Sequence, residues 1–295
     1  RGGTRCRVEM VLSTELSINL AKNGNRRELA RLLSLIESGV KLSVESPNPW
    51  VLGVTGPPGV GKSTLIGTMI EEWILRGERV AVLAVDPSSP RSGGALLADR
   101  MRMSSADSSK SVFVRSLATR NHPGGLVPFL DPMINLLTLC GWTRIIIETV
   151  GGGQSEIRIV AFADRVMLVD GPDRGDIIQA EKAGILELAD LVVINKSDLP
   201  NALNASNSIK NSFNYSDKND KLVLLTSALN NSGISELIDQ IEDLDIDSDR
   251  ASLRIKERLL SAWDYKLLSN PLLNDILLDL ESGSINLDGA LELLR

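Results

Sequence analysis

The sequence predicts an α/β fold in which a doubly wound, mostly parallel sheet is covered by helices on both faces. Short β-rich apolar runs alternate with longer amphipathic stretches between about Trp50 and Leu244, a pattern typical of parallel sheets with crossover helices. The runs are nearly continuous in Val, Ile and Leu, as expected for strands buried on both faces. Seven strands are predicted, at 50–55, 79–85, 111–116, 143–148, 165–170, 191–195 and 222–227.

Helical extensions are predicted on both sides of this core. Residues 25–39 place leucines at helical spacing and end on Gly39, a helix stop. An apolar stripe recurs every four residues near the other end of the chain, at Ile255, Leu259, Trp263 and Leu267. Such a stripe either packs on the core or forms a dimerisation arm. The predicted divisions are an N-terminal helical extension at 1–46, a central domain at 47–247 and a C-terminal helical dimerisation arm at 248–295.

Composition excludes several classes of protein. A formal net charge of −6 and a pI near 5.1 give no general attraction to nucleic acid or anionic lipid. Cys6 and Cys140 are too isolated to form a disulfide framework or a zinc site, which fits a reducing, cytoplasmic compartment. Apolar runs stay below the roughly 18 residues of a membrane helix. The chain starts at Arg1, so the sequence is compatible with a preceding targeting segment and, in a eukaryote, with the mitochondrial matrix.

The stretch GPPGVGKS matches the G-x-x-x-x-G-K-[ST] phosphate-loop pattern and lies between an apolar strand and a helix. Gly59 and Gly61 let backbone N–H groups turn inward around phosphate oxygens. Lys62 brings a positive charge to the β- and γ-phosphates, and Ser63 offers a hydroxyl to Mg²⁺. The predicted phosphate-binding residues are Gly56, Pro57, Pro58, Gly59, Val60, Gly61, Lys62, Ser63 and Thr64.

Acidic residues after two later strands predict a magnesium site. Glu148 ends a buried strand and begins an E-x-x-G element whose Gly151 can donate its N–H to a γ-phosphate. Asp86 and Asp99 lie in a Ser-, Pro- and Gly-rich loop that bound nucleotide and metal could order, which makes it the best switch candidate. The predicted magnesium ligands or their close neighbours are Ser63, Asp86, Asp99 and Glu148.

The stretch NKSD fits the N-K-x-D pattern that reads guanine. The Asp198 carboxylate can accept hydrogen bonds from guanine N1–H and the N2 amine, donors that adenine lacks at that edge. Asn195 is expected to brace the loop, and the stem of Lys196 to cover the base. Downstream, the Ala228 N–H is predicted to donate to guanine O6. The predicted base-binding set is Asn195, Lys196, Asp198, Ser227, Ala228 and Leu229.

With these elements in order, the chain resembles the MeaB/ArgK family of P-loop GTPases, the family of methylmalonyl-CoA mutase-associated GTPases and of the methylmalonic aciduria type A protein. The resemblance extends over nearly the whole chain. It is carried by GPPGVGKST, VLAVDPSSPRSGGALLADRMRM, RNHPGGL, ETVGGGQSE, GDIIQAEKAGILELADLVVINKSD and NPLLNDILLDLESGSINLDGALELL.

The resemblance implies a SIMIBI-type G domain in a homodimer that binds GTP or GDP with Mg²⁺. It also implies a chaperone role toward an adenosylcobalamin-dependent acyl-CoA mutase, typically methylmalonyl-CoA mutase, in which the nucleotide state gates cofactor delivery. The family's third switch, which faces the mutase, corresponds to 179–184. No arginine finger is evident, so slow intrinsic turnover and stimulation by a partner are expected. The candidate catalytic residues are Lys62, Asp99, Gln154 and Lys182.

Three other functions remain open at this stage. A nickel-insertion GTPase would share the same core, although one His and two scattered Cys offer no evident metal store. A kinase or ATPase linked to lysine, arginine and ornithine transport is the second, and the guanine loop argues against it. The third is a nucleotide-dependent scaffold with negligible turnover.

Overall fold

The computed structural model describes a sheet with helices on both faces and part of each helical extension. The described residues are 15–40, 42, 48–86, 110–118, 129–149, 158, 161–172, 183–214, 221–245 and 248–294. Within these ranges, no helix is long and apolar enough to cross a membrane.

Seven parallel strands form one sheet, and each overlaps a strand predicted from the sequence. The strands are β1 (Val51–Thr55), β2 (Val80–Asp86), β3 (Val112–Ala118), β4 (Arg144–Thr149), β5 (Arg165–Asp170), β6 (Leu191–Ile194) and β7 (Leu222–Leu225). Their order is β3-β2-β4-β1-β5-β6-β7, with every neighbouring pair parallel. The strand that leads into the phosphate loop is therefore central, flanked by β4 and β5.

Nine helices with full bounds surround this sheet in the described ranges. They are α1 (Arg26–Glu37), α2 (Lys62–Leu75), α3 (Leu130–Leu139), α4 (Ala183–Leu188), α5 (Ala202–Asn214), α6 (Ile234–Glu242), α7 (Ser248–Leu268), α8 (Leu273–Ser282) and α9 (Leu287–Leu293). The predicted helix at 25–39 is α1, capped by the Asn25 side chain, which accepts from the Glu28 N–H. The predicted helical tail contains α7, α8 and α9.

Two apolar cores lie on opposite faces of the sheet. Buried side chains of α1, α3, α4 and α5 pack on one face, while those of α2 and α6 pack on the other. Successive residues of β5 alternate between them, with Leu168 in the first core and Val169 in the second. The doubly wound α/β fold predicted from the sequence is confirmed.

The long helix α7 docks on the domain through a buried ion pair. Arg254 Nη2 donates to Asp190 Oδ2 at 2.6 Å, and the same oxygen accepts the Val166 N–H at 2.7 Å. Ser261, two turns along the helix, is also buried. Ile255, Leu259 and Trp263 are instead exposed on the same helix. The helix therefore packs on its own domain through one face and leaves apolar side chains in solvent.

Candidate functional site

The phosphate loop connects β1 to α2 and requires glycine at two positions because of close neighbours. Gly56 has φ 144°, and a Cβ there would lie 1.9 Å from the Val169 carbonyl oxygen. Gly61, with φ 91°, is the N-cap of α2, and a Cβ there would lie 2.6 Å from Asn195 Nδ2. Because both conformations are left-handed and both spaces are filled, only glycine fits without strain. The loop is thus pressed against the ends of β5 and β6.

Lys62 lies inside the loop that it is predicted to serve. Its side chain is buried, and Nζ donates to the carbonyl oxygens of Gly56 at 2.7 Å and Pro57 at 2.9 Å. These bonds hold a positive charge against the loop backbone, beside the N-terminus of α2, where anions are favoured. The arrangement suits a phosphate-binding ammonium.

Ser63 and Glu148, both predicted magnesium residues, are brought together by the fold. Ser63 Oγ donates to Glu148 Oε1 at 2.7 Å, and Glu148 is only 1% exposed. The register of the sheet explains the meeting, since Glu148 is opposite Val54, at the end of the strand that leads into the loop. Asp86 ends the neighbouring strand β2, one position beyond the Val85–Thr149 pair.

These two oxygen donors have the right chemistry for Mg²⁺. A hydroxyl and a carboxylate are hard ligands, and magnesium commonly takes only one or two protein oxygens and completes its shell with phosphates and water. Among the described residues, no three His, Cys, Asp or Glu side chains form a group that could hold a metal. Ser63 and Glu148 fit a magnesium ion shared with a nucleotide.

Asn195 joins the phosphate loop to the loop after β7. Its Nδ2 donates to the Val60 carbonyl at 2.9 Å, and its Oδ1 accepts the Ala228 N–H at 3.1 Å and the Thr226 hydroxyl at 3.3 Å. Asn195 is 2% exposed, so these buried polar groups satisfy one another. The side chain braces the base loop, as its sequence position indicates.

Asp198 is held at the exposed rim of this site. Its Oδ1 accepts the Ser227 hydroxyl at 2.5 Å, which fixes one edge of the carboxylate. Lys196 has φ 61° and extends back to the phosphate loop, where Nζ donates to the Gly59 carbonyl at 2.7 Å. Asp198 and Lys196 therefore lie on one loop that reaches toward the phosphate loop, as a base pocket needs.

The remaining predicted site residues have different standings. Leu229 is exposed beside Ala228, while Thr64 and Pro58 lie in and just after the phosphate loop. Gly151, Asp99, Gln154 and Lys182 lie outside the described residues, as does the side chain of Asp86.

The sequence reading missed Asp170, the last residue of β5. Asp170 is buried, its Oδ1 accepts the Gly171 N–H at 2.9 Å, and its carbonyl accepts the Asn195 N–H at 2.9 Å. An acidic residue after the apolar run RVMLV was the available signal. It resembles the position of Glu148, which the sequence reading did use.

Comparison with known proteins gives a consistent set of similarities. A family model described as methylmalonyl-CoA mutase-associated GTPase MeaB matches residues 21–277. A protein of Pyrococcus abyssi is 42% identical over 245 residues, which cover 77% of this chain and 74% of that protein. The GTPase ArgK of Escherichia coli is 37% identical over 202 residues, or 64% of this chain and 61% of its own.

A mitochondrial mouse protein, the methylmalonic aciduria type A homolog, is 38% identical over 206 residues. The match covers 67% of this chain and 48% of the mouse protein, so the chain spans about half of that relative. Among solved structures, a LAO/AO transport system kinase superposes with a TM-score of 0.61 at 23% identity and covers 96% of both chains. At that identity, the superposition supports the fold alone.

Proposed function

The chain is a P-loop GTPase of the MeaB family, and on that premise we propose that its nucleotide state gates cofactor loading of an adenosylcobalamin-dependent acyl-CoA mutase. Methylmalonyl-CoA mutase, named in the family description, is the proposed partner. The chain would work where that enzyme works, in the cytoplasm or, in a eukaryote, in the mitochondrial matrix. Support comes from the family match and from a site whose parts suit a guanine nucleotide.

One observation carries the nucleotide assignment, namely the bridge that Asn195 makes between the phosphate loop and the loop of Ala228. The bridge sets the distance between a place for phosphates and a place for a base. Asp198 lies on the base side with one carboxylate edge held by Ser227, leaving an acceptor suited to guanine N1–H and N2. Binding of guanine O6 by the Ala228 N–H would exchange or share its present bond to Asn195.

For hydrolysis, we propose that Ser63 and Glu148 hold Mg²⁺ directly or through water, with Asp86 and Asp99 completing the set. Mg²⁺ bridges β- and γ-phosphate oxygens and neutralises developing charge. Lys62 would stabilise the same oxygens, and the Gly151 N–H would contact the γ-phosphate. Gln154 and Lys182 are the proposed residues that a partner brings into place.

The partner proposal is tested by phosphate release from GTP with and without purified methylmalonyl-CoA mutase. Completion of the hydrolytic site by a partner should raise turnover by a factor on the order of 10³. ATP in place of GTP is the control and should show no stimulation. Unchanged turnover, together with co-purification of a different enzyme from the native source, would exclude this partner. Unchanged turnover alongside stable binding of the mutase would instead favour the scaffold.

A second copy of the chain is the proposed partner of the exposed face of α7. Trp263 is 57% exposed and lies one turn from Leu259, which is also exposed. A Trp and neighbouring aliphatic side chains at this exposure favour burial in an interface. The apolar face continues onto α8 and α9, where Leu277, Leu278, Leu287 and Leu291 are exposed.

The substitution Trp263→Asp is expected to dissociate this dimer. Light scattering should give a mass of twice 31.9 kDa for the unaltered chain and 31.9 kDa for the variant, because a charge in an apolar interface is costly to desolvate. Leu75→Asp is the matched control, since Leu75 is 83% exposed at the end of α2 and should tolerate the change. A monomeric unaltered chain at micromolar concentration would disprove the arm.

A further inference from the structure

Asp170 is a buried carboxyl for which the proposed GTPase chemistry has no role. It ends β5 and is 1% exposed. Since β1 lies between β4 and β5, the strand leading into the phosphate loop is flanked by two strands that carry buried acids at or near their carboxyl ends. Glu148 on β4 meets Ser63. Asp170 on β5 is the acid on the other side.

The chain on both sides of Asp170 contacts the phosphate loop. The preceding carbonyl, that of Val169, occupies the space that a Cβ on Gly56 would need. The following residue, Gly171, is so close to Val60 that a Cβ on it would lie 3.7 Å from that side chain. Asp170 is therefore adjacent to the loop at both its beginning and its middle.

Asp170 also connects to the base loop through its backbone. Its carbonyl accepts the Asn195 N–H at 2.9 Å, and its own Oδ1 accepts the Gly171 N–H at 2.9 Å. These bonds fix the carboxyl where the phosphate loop and base loop meet. A nucleotide that spans the two loops must place its phosphates near this group.

We propose that Asp170 is a specificity-determining residue that weakens nucleotide binding and weakens GTP binding more than GDP binding. The inference rests on the proposed binding of guanine nucleotide by the phosphate loop. A carboxylate in a partly buried site interacts with phosphate charges at a lower effective dielectric than in water, and GTP carries one more negative charge than GDP. A cation facing Asp170 would be shared with the phosphates, so the sign of the effect does not depend on Asp170 being unpaired.

The test is the Kd of GDP and of a non-hydrolysable GTP analogue for the Asp170→Asn variant in excess magnesium. Asparagine keeps an oxygen that can accept the Gly171 N–H, so the turn should persist. We expect the Kd of GDP to fall by about tenfold and that of the GTP analogue to fall further. Asp170→Ser, a smaller acceptor, gives the same comparison if the first variant does not fold.

The control is Asp239→Asn, which removes one negative charge far from the phosphate loop. Asp239 pairs with Arg76 at the end of α2 opposite Lys62, about 20 Å along the helix axis, and its loss should leave both Kd values unchanged. Unchanged or weaker nucleotide binding by the Asp170 variants, or an equal gain from Asp239→Asn, would overturn the inference. Failure of the unaltered chain to bind guanine nucleotides would instead overturn the proposed function and this inference with it.

Discussion

Gly56→Ala is expected to destabilise the domain by about 4 kcal/mol or more, at the upper end of what single substitutions do. The new Cβ would lie 1.9 Å from the Val169 carbonyl oxygen, which belongs to a central strand and cannot rotate away as a flexible side chain can. The residue would also have to keep φ 144°, a conformation that side-chain-bearing residues rarely adopt. Chemical denaturation without nucleotide measures the loss.

Gly59→Ala is the matched control within the same loop. Gly59 has φ 82°, but a Cβ there would meet no atom within 4 Å. Only the left-handed backbone then opposes the change, at a cost of about 1–2 kcal/mol. Equal destabilisation by the two substitutions would show that the contact with Val169 does not determine the packing of the loop on β5.

The strands and the nucleotide motifs could be predicted because their signals are local. The run RIIIET, for example, is apolar over a length typical of a buried strand, and β4 is Arg144–Thr149. GPPGVGKS likewise contains its whole loop within eight adjacent residues. Local patterns of this kind require no knowledge of which strands are neighbours.

The contacts that assemble the site could not be predicted in the same way because they join distant parts of the chain. Ser63 meets Glu148, 85 residues away, and Asn195 meets Val60, 135 residues away. Both contacts depend on the strand order, which places β4 and β5 beside β1. Asp170 was missed for the same reason, because an acid at a strand end gains significance only when the register places it beside the phosphate loop.

The substitution Asp198→Asn is expected to change the base that the site prefers from guanine to xanthine. Ser227 donates to Asp198 Oδ1, so an asparagine here should keep its oxygen toward Ser227 and turn its amide nitrogen toward the base. An amide nitrogen only donates. It would oppose the guanine N2 amine but match the carbonyl that xanthine carries at the same place.

Loss of a paired acceptor in a site built for it should weaken GDP binding by a factor on the order of 10³ or more, with XDP binding gained. Calorimetric Kd values for GDP, XDP and ADP measure this, with the unaltered chain expected to prefer GDP over ADP. Ser227→Ala separates orientation from chemistry, since it removes the hydroxyl that fixes Oδ1 but keeps the carboxylate. That variant should weaken GDP binding without gaining XDP binding. Unchanged GDP affinity in Asp198→Asn, or equal affinities for GDP and ADP in the unaltered chain, would mean that this loop does not read guanine.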